Sequence, residues 1–165
     1  MSQSKTESNP LQPPALDPAT VPVKSGSGYP EPYRAAVMTR EKRPLGEAVG
    51  LKNFGVNLVR LPPGAASSQR HWHTHEDEFV YMLDGEAVLV TNAGVQTLTP
   101  GMCAGFPAGK ADGHHLINWS DRDAVFLVVG DRRDGIDTCY YPDIDLTGRW
   151  VGDKWTYFHK DGTPW

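Results

Sequence analysis

The chain has 165 residues, 39% of them hydrophobic, and a formal net charge of −4, which suits one domain with its own core. It has no basic block and no apolar run of the roughly 18 residues that a spanning helix needs, so nucleic acid and membranes are poor partners. The start, MSQSKTESNPLQPP, lacks the apolar stretch of a secretory signal, and Cys103 and Cys139 make no metal-finger spacing; a cytoplasmic protein with free thiols is expected.

Residues 1–34 hold seven of the fourteen prolines and few large apolar residues. Such a segment cannot bury enough surface to fold alone, so it is expected to be an N-terminal arm, partly disordered, docking from about residue 28 at Tyr29 and Tyr33. From Phe54 the apolar residues alternate: Phe54, Val56 and Leu58, then a stop at Pro62-Pro63-Gly64. That is strand patterning. Further strands are predicted over His71–His75, Glu78–Leu83, Glu86–Thr91, Val95–Leu98, Met102–Phe106, His114–Asn118 and Ala124–Gly130. Turn signals separate them, among them Asp84-Gly85, read as a hairpin turn, and Asn92-Ala93-Gly94. Short strands at this spacing predict an all-β sandwich or barrel over 35–130. Residues 131–165 read as a second, aromatic-rich arm with a short strand near Trp155–His159, packing on the barrel or on a partner.

Five of the six histidines fall between positions 71 and 115. His71 and His73 alternate on one strand and share a face. Glu78 opens the next strand on the row Glu78, Val80 and Met82, where a bare carboxylate would be costly unless a cation offset it. Phe79, Tyr81 and Leu83 form the opposite, outward row. His114 and His115 are adjacent, so only one is expected to enter the barrel. These residues predict one metal site inside a β-barrel.

The same residues resemble the two motifs of the cupin superfamily. The first runs from Gly64 through His71-Trp72-His73 and Glu78 to Gly85, with one extra residue after Gly64. The second runs from Gly101 through Pro107-Ala108-Gly109 to His114 and Asn118, with four residues rather than two before the histidine. The resemblance implies a single cupin-type jelly-roll β-barrel flanked by the two arms, and selects His114 over His115. It makes His71, His73, Glu78 and His114 the ligands of one divalent transition metal, Fe, Mn, Ni, Zn or Cu. His75 stands as the catalytic candidate for acid–base work.

A metal-dependent enzyme acting on a small oxygen-rich metabolite follows, an isomerase, lyase or dioxygenase, with sugar-phosphate-isomerase-like cupins among the relatives implied. A non-catalytic binding or sensor cupin is the competing reading. Phosphate recognition wants arginine or lysine at the cavity. The inward positions assigned by parity contain none, leaving Arg60, Arg70 and Lys110 for the mouth. The apolar outward row, together with the tail from Trp150 to Trp165, predicts a homodimer.

Overall fold

The computed structural model describes residues 11–165; the first ten residues of the proline-rich arm lie outside the described residues. Among the described residues, thirteen short strands follow one another, with two 3-10 turns and a single helical turn among them. They are β1 (Lys24–Ser25), β2 (Glu41–Arg43), β3 (Phe54–Leu61), β4 (Trp72–His73), β5 (Glu78–Asp84), β6 (Ala87–Thr91) and β7 (Gly94–Leu98). After these come β8 (Cys103–Phe106), β9 (His115–Ile117), β10 (Ala124–Asp131), β11 (Thr138–Tyr141), β12 (Leu146–Val151) and β13 (Lys154–Phe158). The helical turn, Leu45–Ala48, joins β2 to β3.

Three antiparallel sheets result. One runs β1-β2-β3-β10-β5-β8, the second β7-β6-β9 and the third β13-β12-β11-β4. The architecture is the cupin-type jelly roll expected. Strand alternation decides what enters the core. In β5, Val80 and Met82 are buried, while Phe79, Tyr81 and Leu83 stay about 40% exposed on the outer face. Val59 and Leu61 of β3, Ala87 and Leu89 of β6, Leu116 of β9 and Ala124 and Phe126 of β10 complete the inner layer. Each large side chain there contributes about 1.5–3 kcal/mol by leaving water.

The turn at Asp84-Gly85 is not a hairpin. β5 pairs with β10 and β8, whereas β6 pairs with β7 and β9. Gly85 therefore carries the chain from one sheet to the other. Its φ of +67° and a Cβ position only 2.1 Å from the Asp123 carbonyl oxygen exclude any other residue. A turn dipeptide reports a sharp change of direction, and here the close approach of Asp123 converts that change into a crossing.

Both terminal segments are folded onto the barrel. The N-terminal one docks from Val21, earlier than residue 28: Val21 is buried, and β1 pairs with β2, which pairs with β3. Tyr29 and Val37 pack with Cys139, Tyr141 and Leu146 in a second core. The C-terminal segment holds three strands rather than one, in a meander whose first strand pairs with β4. Its aromatics are largely used within the chain. Trp155 and Tyr157 pack on the second core, and the Trp165 ring stacks on His159 and meets Tyr33 edge-on.

Candidate metal centre

His71 and His114 face each other through an isolated antiparallel bridge, each main-chain N–H donating to the other's carbonyl. That bridge sets their rings 4.9 Å apart. His73 follows two residues on, paired to Cys139 of β11. Glu78, at the head of β5, completes the group. Its Oε2 lies 2.9 Å from His114 Nε2, 3.4 Å from His71 Nε2 and 3.7 Å from His73 Nε2. The structure thus brings His71, Glu78 and His114 into one candidate ligand group, with His73 beside it and near the same carboxylate.

The far sides of the rings are also fixed. His71 Nδ1 donates to the Gln69 carbonyl at 2.8 Å, and His73 Nδ1 donates to Asp137 Oδ2 at 2.6 Å. Nδ1 carries the proton in both, so both Nε2 atoms are free to act as ligands. The Phe106 ring stacks on His114 at 3.6 Å and fixes its plane. Burial alone would raise the Glu78 carboxyl; the His114 and His71 rings instead hold it well below the usual carboxylate range. Burial pushes the His114 imidazole down, toward the neutral form a metal requires. Burial also opposes charge on His73, but Asp137 and Glu78 more than offset it and raise that imidazole.

Three imidazole nitrogens around one carboxylate oxygen fit a borderline divalent ion. Such an ion would replace the proton that now joins His114 to Glu78. While His73 borders a separate, smaller pocket, His71, Glu78 and His114 open onto a cavity of about 260 Å³. Val59, Val80, Leu116, Phe126 and Val128 line its apolar part. Met82, expected beside the site, is buried in the layer beneath and does not line it.

His75 does not reach this cavity. Its side chain is exposed, with Nδ1 2.8 Å from Thr74 Oγ1, and its main-chain N–H donates to Asp137 Oδ1 at 2.9 Å. The chain turns after β4, and the alternation that His75 would continue ends there. His115 does reach the cavity, against the expectation that only one of the pair would. His114 sits in a bridge ahead of β9, not in a continuous ladder, so strict alternation does not separate the two rings. The His115 Nδ1 donates to the Ser68 carbonyl at 3.0 Å, leaving Nε2 as a proton acceptor.

Asp137 was not found from sequence. Its side chain is fully buried and accepts from His73, from the His75 main chain and from Thr74 Oγ1. Burial would raise its carboxyl, but the His73 bond and the His75 N–H keep it low. Arg40 and Lys42 were also missed, and both line the cavity. Of the cations assigned to the mouth, Arg60 pairs with Asp123 and Glu41 and Arg70 with Asp143. Lys110 borders a smaller pocket beside His73.

The cupin domain family matches residues 57–130. A sugar phosphate isomerase from a cupin superfamily, of Silicibacter pomeroyi, has a crystal structure similar to this one at 45% identity and a TM-score of 0.88, over 92% of this chain and 96% of that one. The chain is a cupin. A second structure, from Acidithiobacillus ferrooxidans and provisionally named a sugar phosphate isomerase, is similar to this cupin at 32% identity and a TM-score of 0.70, over 76% of this chain and 78% of that one. A third, from Thermotoga maritima and provisionally named an oxalate decarboxylase, shares the cupin fold at 24% identity and a TM-score of 0.59, over 71% of this chain and 97% of that one. A comparison with curated proteins gave no match. Among the described residues, no helix of this cupin is long and apolar enough to cross a membrane.

Proposed function

We propose that this cupin is a metal-dependent enzyme that rearranges a small oxygen-rich metabolite by Lewis-acid chemistry, an isomerase before a lyase. The observation that carries the reading is the convergence of His71, His73 and His114 on Glu78, with His71, Glu78 and His114 lining a cavity of about 260 Å³. The name of the S. pomeroyi relative, a sugar phosphate isomerase, supports the isomerase choice. When bound, a divalent ion supplies an open coordination position and polarises a substrate oxygen. The chain's own residues do the rest. Asp137 and the Gln69 carbonyl aim the His73 and His71 rings, and the apolar wall excludes water. Among the imidazoles lining the cavity, His115 is the one outside the metal set, and its Nε2 is suited to take and return a proton.

The test is to load purified protein with Mn, Fe, Ni or Zn, measure metal content, and incubate it with a panel of sugar phosphates in deuterated water. Deuterium appearing beside the substrate carbonyl, with one metal per chain and no oxygen uptake, is the expected result. Oxygen uptake would point to dioxygenase chemistry. Metal retention without turnover or exchange would leave a binding protein and overturn the enzyme reading.

We further propose that the protein is a homodimer joined through its outer sheet face. Phe79, Tyr81 and Leu83 stand in one exposed row there, an aggregation cost for a lone chain. The C-terminal aromatics are largely packed within the chain, which leaves this row as the part of the predicted interface still exposed. Light scattering is expected to give twice the 18.2 kDa chain mass; the single-chain mass at micromolar concentration would reject the dimer.

A further inference from the structure

Strand alternation in the N-terminal segment sends two cations inward. In β2, Glu41 and Arg43 face out: Glu41 pairs with Arg60, and Arg43 donates to the carbonyls of Val21 and Ala19. Arg40 and Lys42 therefore face the other way, where both line the cavity with Asn57 and Val59. Lys42 sits opposite Val59 in the ladder.

Neither cation is neutralised. Lys24, Arg34, Arg60, Arg70, Arg132 and Arg133 each have a carboxylate partner. Among the described residues, Arg40 and Lys42 have none; other unpaired cations, such as Arg122 and Lys154, are exposed to solvent, whereas these two line the cavity. The one side-chain hydrogen bond of Arg40 goes to the Ser67 carbonyl, and its Nε is buried without a partner. Among the described residues, the Lys42 ammonium has no hydrogen-bond partner. The one carboxylate lining the cavity is Glu78, already surrounded by three imidazoles. Burial pushes the Lys42 ammonium down, and the Arg40 charge adds to the effect. The cavity thus has a wall with surplus positive charge beside its metal ligands.

We infer that Arg40 and Lys42 bind the oxyanion end of the substrate, a phosphate or a carboxylate, while the metal ligands face its reacting end. The inference rests on the enzyme reading above and adds to it the charge of the substrate and the residues that select it. A guanidinium beside an ammonium offers several donors to the oxygens of such a group, and charge-assisted bonds of this kind are the strong ones.

The experiment strips the protein of metal with a chelator, removes the chelator, and titrates inorganic phosphate and malonate separately by calorimetry. Without metal, binding falls to the cations alone. The wild-type protein is expected to bind at least one probe, and which one it binds tells a phosphate end from a carboxylate end. Lys42→Met is expected to weaken that binding about tenfold or more. Its melting temperature should stay near wild type, since the ammonium holds nothing in place, and Lys42→Arg should retain binding. Failure of both probes to bind, or equal binding by wild type and Lys42→Met, overturns the inference. Metal content is measured on the same samples before stripping. Wild-type protein that retains no metal would count against the enzyme reading and leave the anion wall standing.

Discussion

Replacing His73 by alanine is expected to remove the bound metal and to lower the melting temperature of the protein as purified. Two losses combine. The Nε2 atom facing Glu78 disappears, leaving two imidazoles and one carboxylate for the ion. Asp137 also loses the 2.6 Å bond to His73 Nδ1, while its side chain stays fully buried. A buried polar group stripped of a partner costs about 1–3 kcal/mol, more when charged. A ligand present at a hundredfold its dissociation constant adds about 2.7 kcal/mol of stability, which the variant forfeits. Comparison with chelator-treated wild type separates the two contributions. If metal loss were the whole effect, the stripped wild type and the variant would melt together; a lower value for the variant measures what Asp137 loses. Full metal occupancy in His73→Ala, read by elemental analysis, would reject His73 as a ligand.

Phe126→Ala is expected to cost about 3–5 kcal/mol, the range for truncating a buried phenylalanine. Phe126 is fully buried in β10, the strand flanked by β3 on one side and β5 on the other. It also lines the cavity, so its removal enlarges that cavity as it thins the core. Domains of this kind are stable by about 5–15 kcal/mol in total, so the variant should unfold at a clearly lower urea concentration. Metal-free protein is the right sample, because it removes the ion from the comparison. A loss below about 1 kcal/mol would mean that neighbouring side chains collapse into the gap.

The parts of the site legible from sequence are those that follow local alternation. The row Glu78, Val80 and Met82 needed only a period of two, and the structure buries Val80 and Met82 as that period requires. His71, His73 and His114 stood out by number and spacing. The parts that were missed depend on pairings far apart in the chain. Asp137 reaches His73 across 64 positions because β11 pairs with β4. Nothing in Gly135-Ile136-Asp137 signals that neighbour. Arg40 and Lys42 lie in a stretch of four charged residues, Arg40 to Arg43, where no apolar residue marks a face. Only the pairing of β2 with β3 determines which two turn inward. Asp84-Gly85 shows the same limit, since a dipeptide specifies a bend but not the sheet that the next strand joins.

The pairing of β11 with β4 also bears on how the protein is made. During synthesis His71, His73 and Glu78 leave the ribosome first, His114 next and Asp137 later still. The early segment lacks the 2.6 Å bond from His73 to Asp137, keeping only Glu76 at 3.8 Å from His73 Nδ1, and has no fourth ligand until His114 emerges. An ion captured at that stage would be held loosely and exchanged freely. A lasting choice of metal would therefore fall after translation has passed Asp137 and the strand behind it has formed. Any ion the mature protein carries would then come from the supply that meets a finished polypeptide, not from whatever the emerging histidines encounter first.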